Sequence, residues 1–162
     1  MRIAIISDTH DNIWKLDEAL SYLQSVDAVL HGGDVISPFM IVKLGENLPD
    51  IPVHLVWGNN DGDKRLLTNK ALEAGNVFIH GDFADLELGG IKIAINHYPE
   101  ICRALAESNR YDLVCYGHNH TAHEEYLGNT LLLNPGELMG LNGSSTFCIF
   151  NTENRELSWI EL

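Results

Sequence analysis

The chain has 162 residues, 45% of them hydrophobic and 20% charged, with 23 Asp and Glu against 10 Lys and Arg and a formal net charge of −13. This composition excludes a disordered chain and suffices for one domain burying roughly 68–70% of the surface its unfolded form exposes. The acid excess argues against long nucleic acids, whose non-specific affinity comes from Lys and Arg neutralising phosphates, and leaves a small phosphate ester admissible.

Residues 2–7 read as a β-strand, and Ile13, Leu16, Ala19, Leu20 and Leu23 then recur at helical spacing. A second strand over 27–31 ends at Gly32-Gly33-Asp34 and leads into a helix through Ile41, Leu44 and Leu48, with Pro38 in its first turn. A third strand over 53–57 ends at Gly58-Asn59-Asn60-Asp61, before a polar helix over 63–74. Strand, turn and helix in repetition predict a parallel sheet with right-handed crossovers. Later come short strands over 77–79, 83–88 and 91–95, the last two joined by the hairpin signal Gly89-Gly90. A helix over 100–108 precedes a strand over 113–116, and strands over 124–127, 130–133, 145–151 and 156–160 complete the chain. The expected arrangement is one α/β domain over residues 1–162, with parallel pairing early and antiparallel pairing late.

The start of the chain carries only the short apolar run 3–6, less than a signal peptide requires, and no run of about 18 apolar residues predicts a membrane span. Cys102, Cys115 and Cys148 are odd in number and lie in apolar or helical contexts, so they read as core residues of a cytoplasmic protein.

Metal-ligand side chains gather where strands end: Asp8 and His10, Asp34, Asn59, His97, and the pair His118 and His120. In open α/β sheets such loops converge at the carboxyl ends of the strands. Two carboxylates, one amide and four imidazoles make a mixed N/O set without thiolate, which suits Mn, Fe, Co, Ni or Zn. Seven groups exceed a closed zinc site of four and match a two-metal centre with ions about 3.5–4 Å apart. Glycines 33, 58 and 117 beside them allow sharp turns and close approach of a substrate.

The ordered set Asp8-x-His10, Gly33-Asp34, Gly58-Asn59-Asn60-Asp61, His97 and Gly117-His118-x-His120 resembles the calcineurin-like metallophosphoesterase superfamily, in particular its small single-domain archaeal and bacterial phosphodiesterases. Asn134-Pro135-Gly136 belongs to the same pattern, and the resemblance covers residues 1 to about 150. It implies two packed mixed β-sheets flanked by helices in αββα layers. It assigns Asp8, His10, Asp34 and His120 to one metal and Asp34, Asn59, His97 and His118 to a second, with Asp34 bridging. The implied cofactors are two divalent transition-metal ions, manganese first, with nickel, iron, cobalt or zinc as alternatives. The implied reaction is hydrolysis of a small phosphodiester by a metal-bridging hydroxide, with Asn59, Asn60 and His118 as candidate catalytic residues. A phosphomonoesterase of the same fold, and a non-catalytic metal-binding scaffold like the superfamily's retromer subunit, are the alternatives; a homodimer is compatible.

Two positions depart from the commoner pattern. Asn60 stands where many members carry a histidine, and an amide donates a hydrogen bond but cannot serve as a general acid. Tyr98-Pro99 stands where a glycine is frequent and places a bulky ring beside the ligands. Basic residues near the motifs are chiefly Lys64, Arg65 and Arg103, too few to favour a dianionic monoester. His31, His54, His80 and His123 read as structural, and Trp14, Trp57 and Trp159 as core or interface residues. Asp61 either orients Asn60 or caps the following helix, Asn134-Pro135-Gly136 reads as a tight turn, and Glu137 is a hydrogen-bond partner for a ligand histidine.

Overall fold

Helices begin in this chain where the sequence supplies a cap or a proline. The computed structural model describes all 162 residues. In chain order its elements are β1 (Arg2–Ile6), α1 (Ile13–Leu23), β2 (Ala28–His31), α2 (Pro38–Asn47), β3 (Val53–Leu55), α3 (Lys64–Ala74), β4 (Val77–Ile79), β5 (Phe83–Leu88), β6 (Ile91–Asn96), α4 (Pro99–Glu107), β7 (Leu113–Cys115), β8 (His123–Leu127), β9 (Thr130–Asn134), β10 (Thr146–Asn151) and β11 (Leu157–Glu161). Asn12 Oδ1 accepts from Lys15 N–H to cap α1, and Asp63 Oδ1 accepts from Leu66 N–H to cap α3. Pro38 and Pro99 occupy the first turns of α2 and α4, where their missing N–H costs nothing.

Two sheets result. The first runs β11-β10-β1-β2-β3-β4, parallel from β1 to β4 and antiparallel at β10 and β11. The second runs β5-β6-β7-β9-β8, with parallel pairs β6–β7 and β7–β9 and antiparallel edges. Pairing late in the chain is antiparallel at β5–β6, β8–β9, β10–β11 and β1–β10, as expected, while the parallel pairs β6–β7 and β7–β9 depart from that expectation. There α4 makes a crossover between β6 and β7, and β8 doubles back so that β9 runs alongside β7. β3 also stops at Leu55, short of the expected Trp57.

Alternating side chains divide the interior into layers. Ala4, Ile6, Val29 and Val53 face α1, α2 and α3. Ile3, Ile5 and Leu30 meet Ile93, Ile95 and Leu131 between the sheets, while Ala94, Val114 and Leu132 meet Cys102 and Ala106 of α4. These are αββα layers. All three cysteines are free and buried, and burial pushes the Cys102 thiol up to about 12. Trp57 packs half-buried against the larger core, but Trp14 and Trp159 are exposed and do not belong to it. No helix is long and apolar enough to cross a membrane.

Candidate metal centre

The loops after β1, β2, β3, β6 and β7 meet at one end of the two sheets. They are stitched together by backbone bonds: Asp8 N–H donates to Gly33 O at 3.1 Å, and His10 N–H to Asp34 O at 3.1 Å. Gly117 N–H donates to His97 O at 3.1 Å, and Met139 N–H to Asp8 O at 3.1 Å. Asp8, His10, Asp34, His118 and His120 all have positive φ, between 40° and 73°. Non-glycine residues adopt this left-handed region at a cost and cluster there at functional sites.

Asp61 holds much of this shape. Its Oδ1 accepts from the N–H groups of Val35 (2.7 Å) and Ile36 (2.8 Å), and its Oδ2 from those of Gly58 (2.6 Å) and Asp34 (3.2 Å). Ile36, a β-branched residue at φ 76°, is kept in place by one of these bonds. Both expected roles for Asp61 are therefore replaced: it joins the loops after β2 and β3, and Asp63 caps α3. Gly58 and Gly117 permit close approach, but of the protein to itself. A Cβ on Gly58 would collide with Asp34 Oδ1 and one on Gly117 with Asp8 Oδ2.

All seven candidate ligand side chains converge. His10 Nε2 lies 3.4 Å from Asp34 Oδ2 and 3.7 Å from Asp8 Oδ1, and His120 Nε2 lies 3.3 Å from Asp8 Oδ1. On the other side His97 Nε2 is 3.5 Å from Asp34 Oδ2 and 3.1 Å from Asn59 Oδ1, and His118 Nδ1 is 2.8 Å from that same oxygen. Asp34 Oδ2 thus sits midway between His10 and His97. Asp8, His10 and His120 form one compact set of ligand atoms, and Asp8, Asp34 and His97 another, so Asp8 as well as Asp34 joins the two halves.

Electrostatics favour positive charge at this point. Asp8, Asp34 and His97 are essentially inaccessible to solvent. Asp34, and after it Asp8, hold the His10 imidazole up to about 9, against the penalty of burial. Burial works against charge on His97, yet Asp34 and the Gly32 carbonyl outweigh it and move that group upward. Burial likewise favours the neutral acid at Asp34, but His10, His97 and Asn60 hold its carboxyl well below the usual range. His10 Nε2 is buried without a hydrogen-bond partner. An orphaned imidazole nitrogen facing two carboxylates, beside an amide oxygen shared by two more imidazoles, fits divalent transition metals in both donor type and placement.

Three neighbours complete the site. Asn60 donates to both Asp34 oxygens, from its backbone N–H (2.8 Å) and its Nδ2 (2.8 Å), so one of its two amide protons is committed to a ligand. Tyr98 sets its ring edge-on to His97 and His118, at centroid distances of 5.3 and 5.1 Å. Glu137 Oε2 lies 2.7 Å from His120 Nδ1, the contact expected of it. The Gly32 carbonyl, which receives His97 Nδ1 at 2.8 Å, has no signal in the sequence.

The other histidines stay apart from the ligand set. His31 Nδ1 accepts from Gly33 N–H, its Nε2 meets Thr9 Oγ1, and burial lowers it to about 4. His54 meets His80 at 3.0 Å, and His123 meets the Tyr116 hydroxyl at 2.9 Å. Arg103 pairs with Glu125 at 2.6 Å, and Lys64 lies over the Trp57 ring.

An αββα sandwich with a buried carboxylate–imidazole cluster at its strand ends is an arrangement that a metallophosphoesterase uses, and the comparisons with known proteins place the chain in that class. The chain belongs to the calcineurin-like phosphoesterase superfamily, whose domain description matches residues 1–155. It is 34% identical over 167 residues to phosphodiesterase MJ0936 of Methanocaldococcus jannaschii, covering 100% of this chain and 99% of that protein. The solved structure of an archaeal phosphodiesterase, 33% identical, superposes with a TM-score of 0.92 over 100% of both chains. Zinc-complexed Vps29 of Entamoeba histolytica, 20% identical, shares the fold with a TM-score of 0.72 over 99% of this chain and 91% of that one.

Proposed function

We propose that this chain, as a single domain over residues 1–162, is a metal-dependent phosphodiesterase acting on a small phosphodiester at a dinuclear centre. The observation that carries the reading is Asp34 Oδ2, placed 3.4 and 3.5 Å from two imidazole nitrogens, one of them buried and unpartnered. One cation would be held by Asp8, His10, Asp34 and His120, and the other by Asp34, Asn59, His97 and His118. Manganese is the first choice, with nickel, iron, cobalt or zinc offering the same ligand preferences. When bound, two such ions supply Lewis acidity that activates water and neutralises charge on the phosphoryl oxygens.

The chain's own residues hold the ligands and shape the substrate's surroundings. Gly32 O and Glu137 orient His97 and His120 through their Nδ1 atoms. Asn60 braces both oxygens of Asp34, and its amide, being no acid, gives no proton to a departing alkoxide. This supports esters whose leaving group departs with a solvent proton. Lys64 and Arg103 are engaged elsewhere, which supports a monoanionic diester over a dianionic monoester. The three buried free thiols support a cytoplasmic setting.

Metal analysis combined with hydrolysis of a bis-aryl and a mono-aryl phosphate, in Mn, Ni and Mg, tests this reading. Two ions per chain and turnover of the diester are expected. A wild-type chain that takes up no transition metal, or an Asp34→Ala variant that keeps full activity, refutes it; activity confined to the monoester makes the protein a phosphomonoesterase.

A further inference from the structure

Glu137 is 1% exposed, immediately after the Asn134-Pro135-Gly136 turn. A carboxylate so placed persists only where its oxygens find donors. Its Oε1 accepts the backbone N–H groups of Asn142 (2.5 Å) and Gly143 (3.0 Å), which folds the segment 138–143 around it. Its Oε2 lies 2.7 Å from His120 Nδ1 and 3.4 Å from Asn142 Nδ2, which also stands 3.1 Å from His120 Nδ1, so the shorter contact to the carboxylate sets the direction of the bond. Both oxygens are acceptors in this arrangement, so the proton of the 2.7 Å contact belongs to His120 Nδ1. Donating there, His120 can face a cation only through Nε2. That atom faces Asp8 Oδ1 at 3.3 Å, a repulsive approach of two acceptors unless positive charge lies between them.

We propose that Glu137 is a positioning residue that fixes His120 as the Nδ1–H tautomer, presents Nε2 to the Asp8 half of the centre, and fastens segment 138–143 to that imidazole. The ligand part of this inference rests on the function proposed above. It also makes the two halves unequal. His97 is backed by a neutral carbonyl, Gly32 O at 2.8 Å, whereas His120 is backed by a carboxylate, which raises the donor strength of the opposite nitrogen more. Glu137 therefore strengthens the half containing His120.

Glu137→Gln keeps the shape but offers a single acceptor oxygen for four donors, and its NH2 can face His120 Nδ1 in reverse. The test uses the whole chain labelled with 15N-histidine, with long-range 1H–15N spectra of the metal-free protein and calorimetric titration with Mn and with Zn. Wild type should show His120 protonated at Nδ1. In Glu137→Gln that tautomer should mix with the Nε2–H form, and the affinity for one of the two ions should fall roughly 10- to 100-fold while the other stays within about two-fold. A wild-type His120 protonated at Nε2 and not at Nδ1 overturns the proposal without any variant. So does a Glu137→Gln protein with an unchanged tautomer and two unchanged affinities. Faster amide exchange at Asn142 and Gly143 with the tautomer retained would reduce Glu137 to a loop anchor and also overturn it. Wild type binding two ions with no effect of the substitution defeats this inference alone; wild type binding none defeats the function proposed above and the ligand role with it.

Discussion

Replacing Asp61 by Asn exchanges one carboxylate oxygen for an NH2 group that faces backbone donors. Four N–H groups, from Asp34, Val35, Ile36 and Gly58, converge on the two oxygens of Asp61, which is buried. A single amide oxygen serves only two of them. Hydrogen bonds to a charged group contribute about 1.5–3 kcal/mol each, so losing two removes about 3–6 kcal/mol. Part returns if the freed loop relaxes, because an L-residue in the left-handed region such as Ile36 costs about 1–2 kcal/mol. A net loss of about 1–5 kcal/mol follows, and at 2–4 °C per kcal/mol for a domain of this size Tm should fall by about 2–20 °C. Urea titration of the metal-free protein measures the first quantity and thermal melting the second. Asp63→Ala is the control: it removes only the α3 cap, which should cost about 1 kcal/mol and leave metal affinity unchanged. If Asp61→Asn costs less than about 1 kcal/mol, or if the cap variant weakens metal uptake as much, the account of Asp61 as the clamp between two ligand loops is wrong.

Gly58→Ala should abolish Mn uptake while leaving the far-ultraviolet circular dichroism unchanged, because its Cβ would occupy the space of Asp34 Oδ1 and Asp34 N; a variant with wild-type affinity in a Mn titration would remove the argument. Mn affinity should rise with pH up to about 9, since His10, held up to about 9, must surrender its proton to a cation; titration in buffers of different ionisation enthalpy should register the released proton. The same group gives the metal-free protein stability that is complete below the ordinary 6.5 and lost as pH rises through about 9, so thermal melting should show Tm declining across that window. His31 has the opposite sign. Burial lowers it to about 4, so its contribution is complete above 6.5 and lost as pH falls toward 4, and urea midpoints should drop between those values.

The early half of the fold was legible because its signals are local. Apolar strand runs, Pro38 at a helix start and the Gly89-Gly90 hairpin, with φ of 56° and 79°, each act within a few residues. Pairing of short apolar strands is not local. Nothing in 113–115 or 130–134 says that these strands run parallel, and nothing in 146–151 says that β10 lies antiparallel to β1. The early end of β3 has a similar cause. Val56 N–H donates to His31 O and Trp57 N–H to Gly81 O, which turns the chain outward and delivers Gly58 to Asp34.

The candidate ligands were legible for a chemical reason, since carboxylate, amide and imidazole groups gather where five strands end. Their supports were not. Asn60 on Asp34 and the Gly32 carbonyl on His97 span 26 and 65 residues of sequence, and no pattern in one segment encodes them. Net charge was equally uninformative about the site. Only Asp8 and Asp34 among 23 acids enter the ligand cluster, and Lys64 and Arg103 are occupied elsewhere. With those two side chains engaged, the positive charge that a phosphate ester needs at the site comes chiefly from protons on His10 and His97, or from cations that displace them.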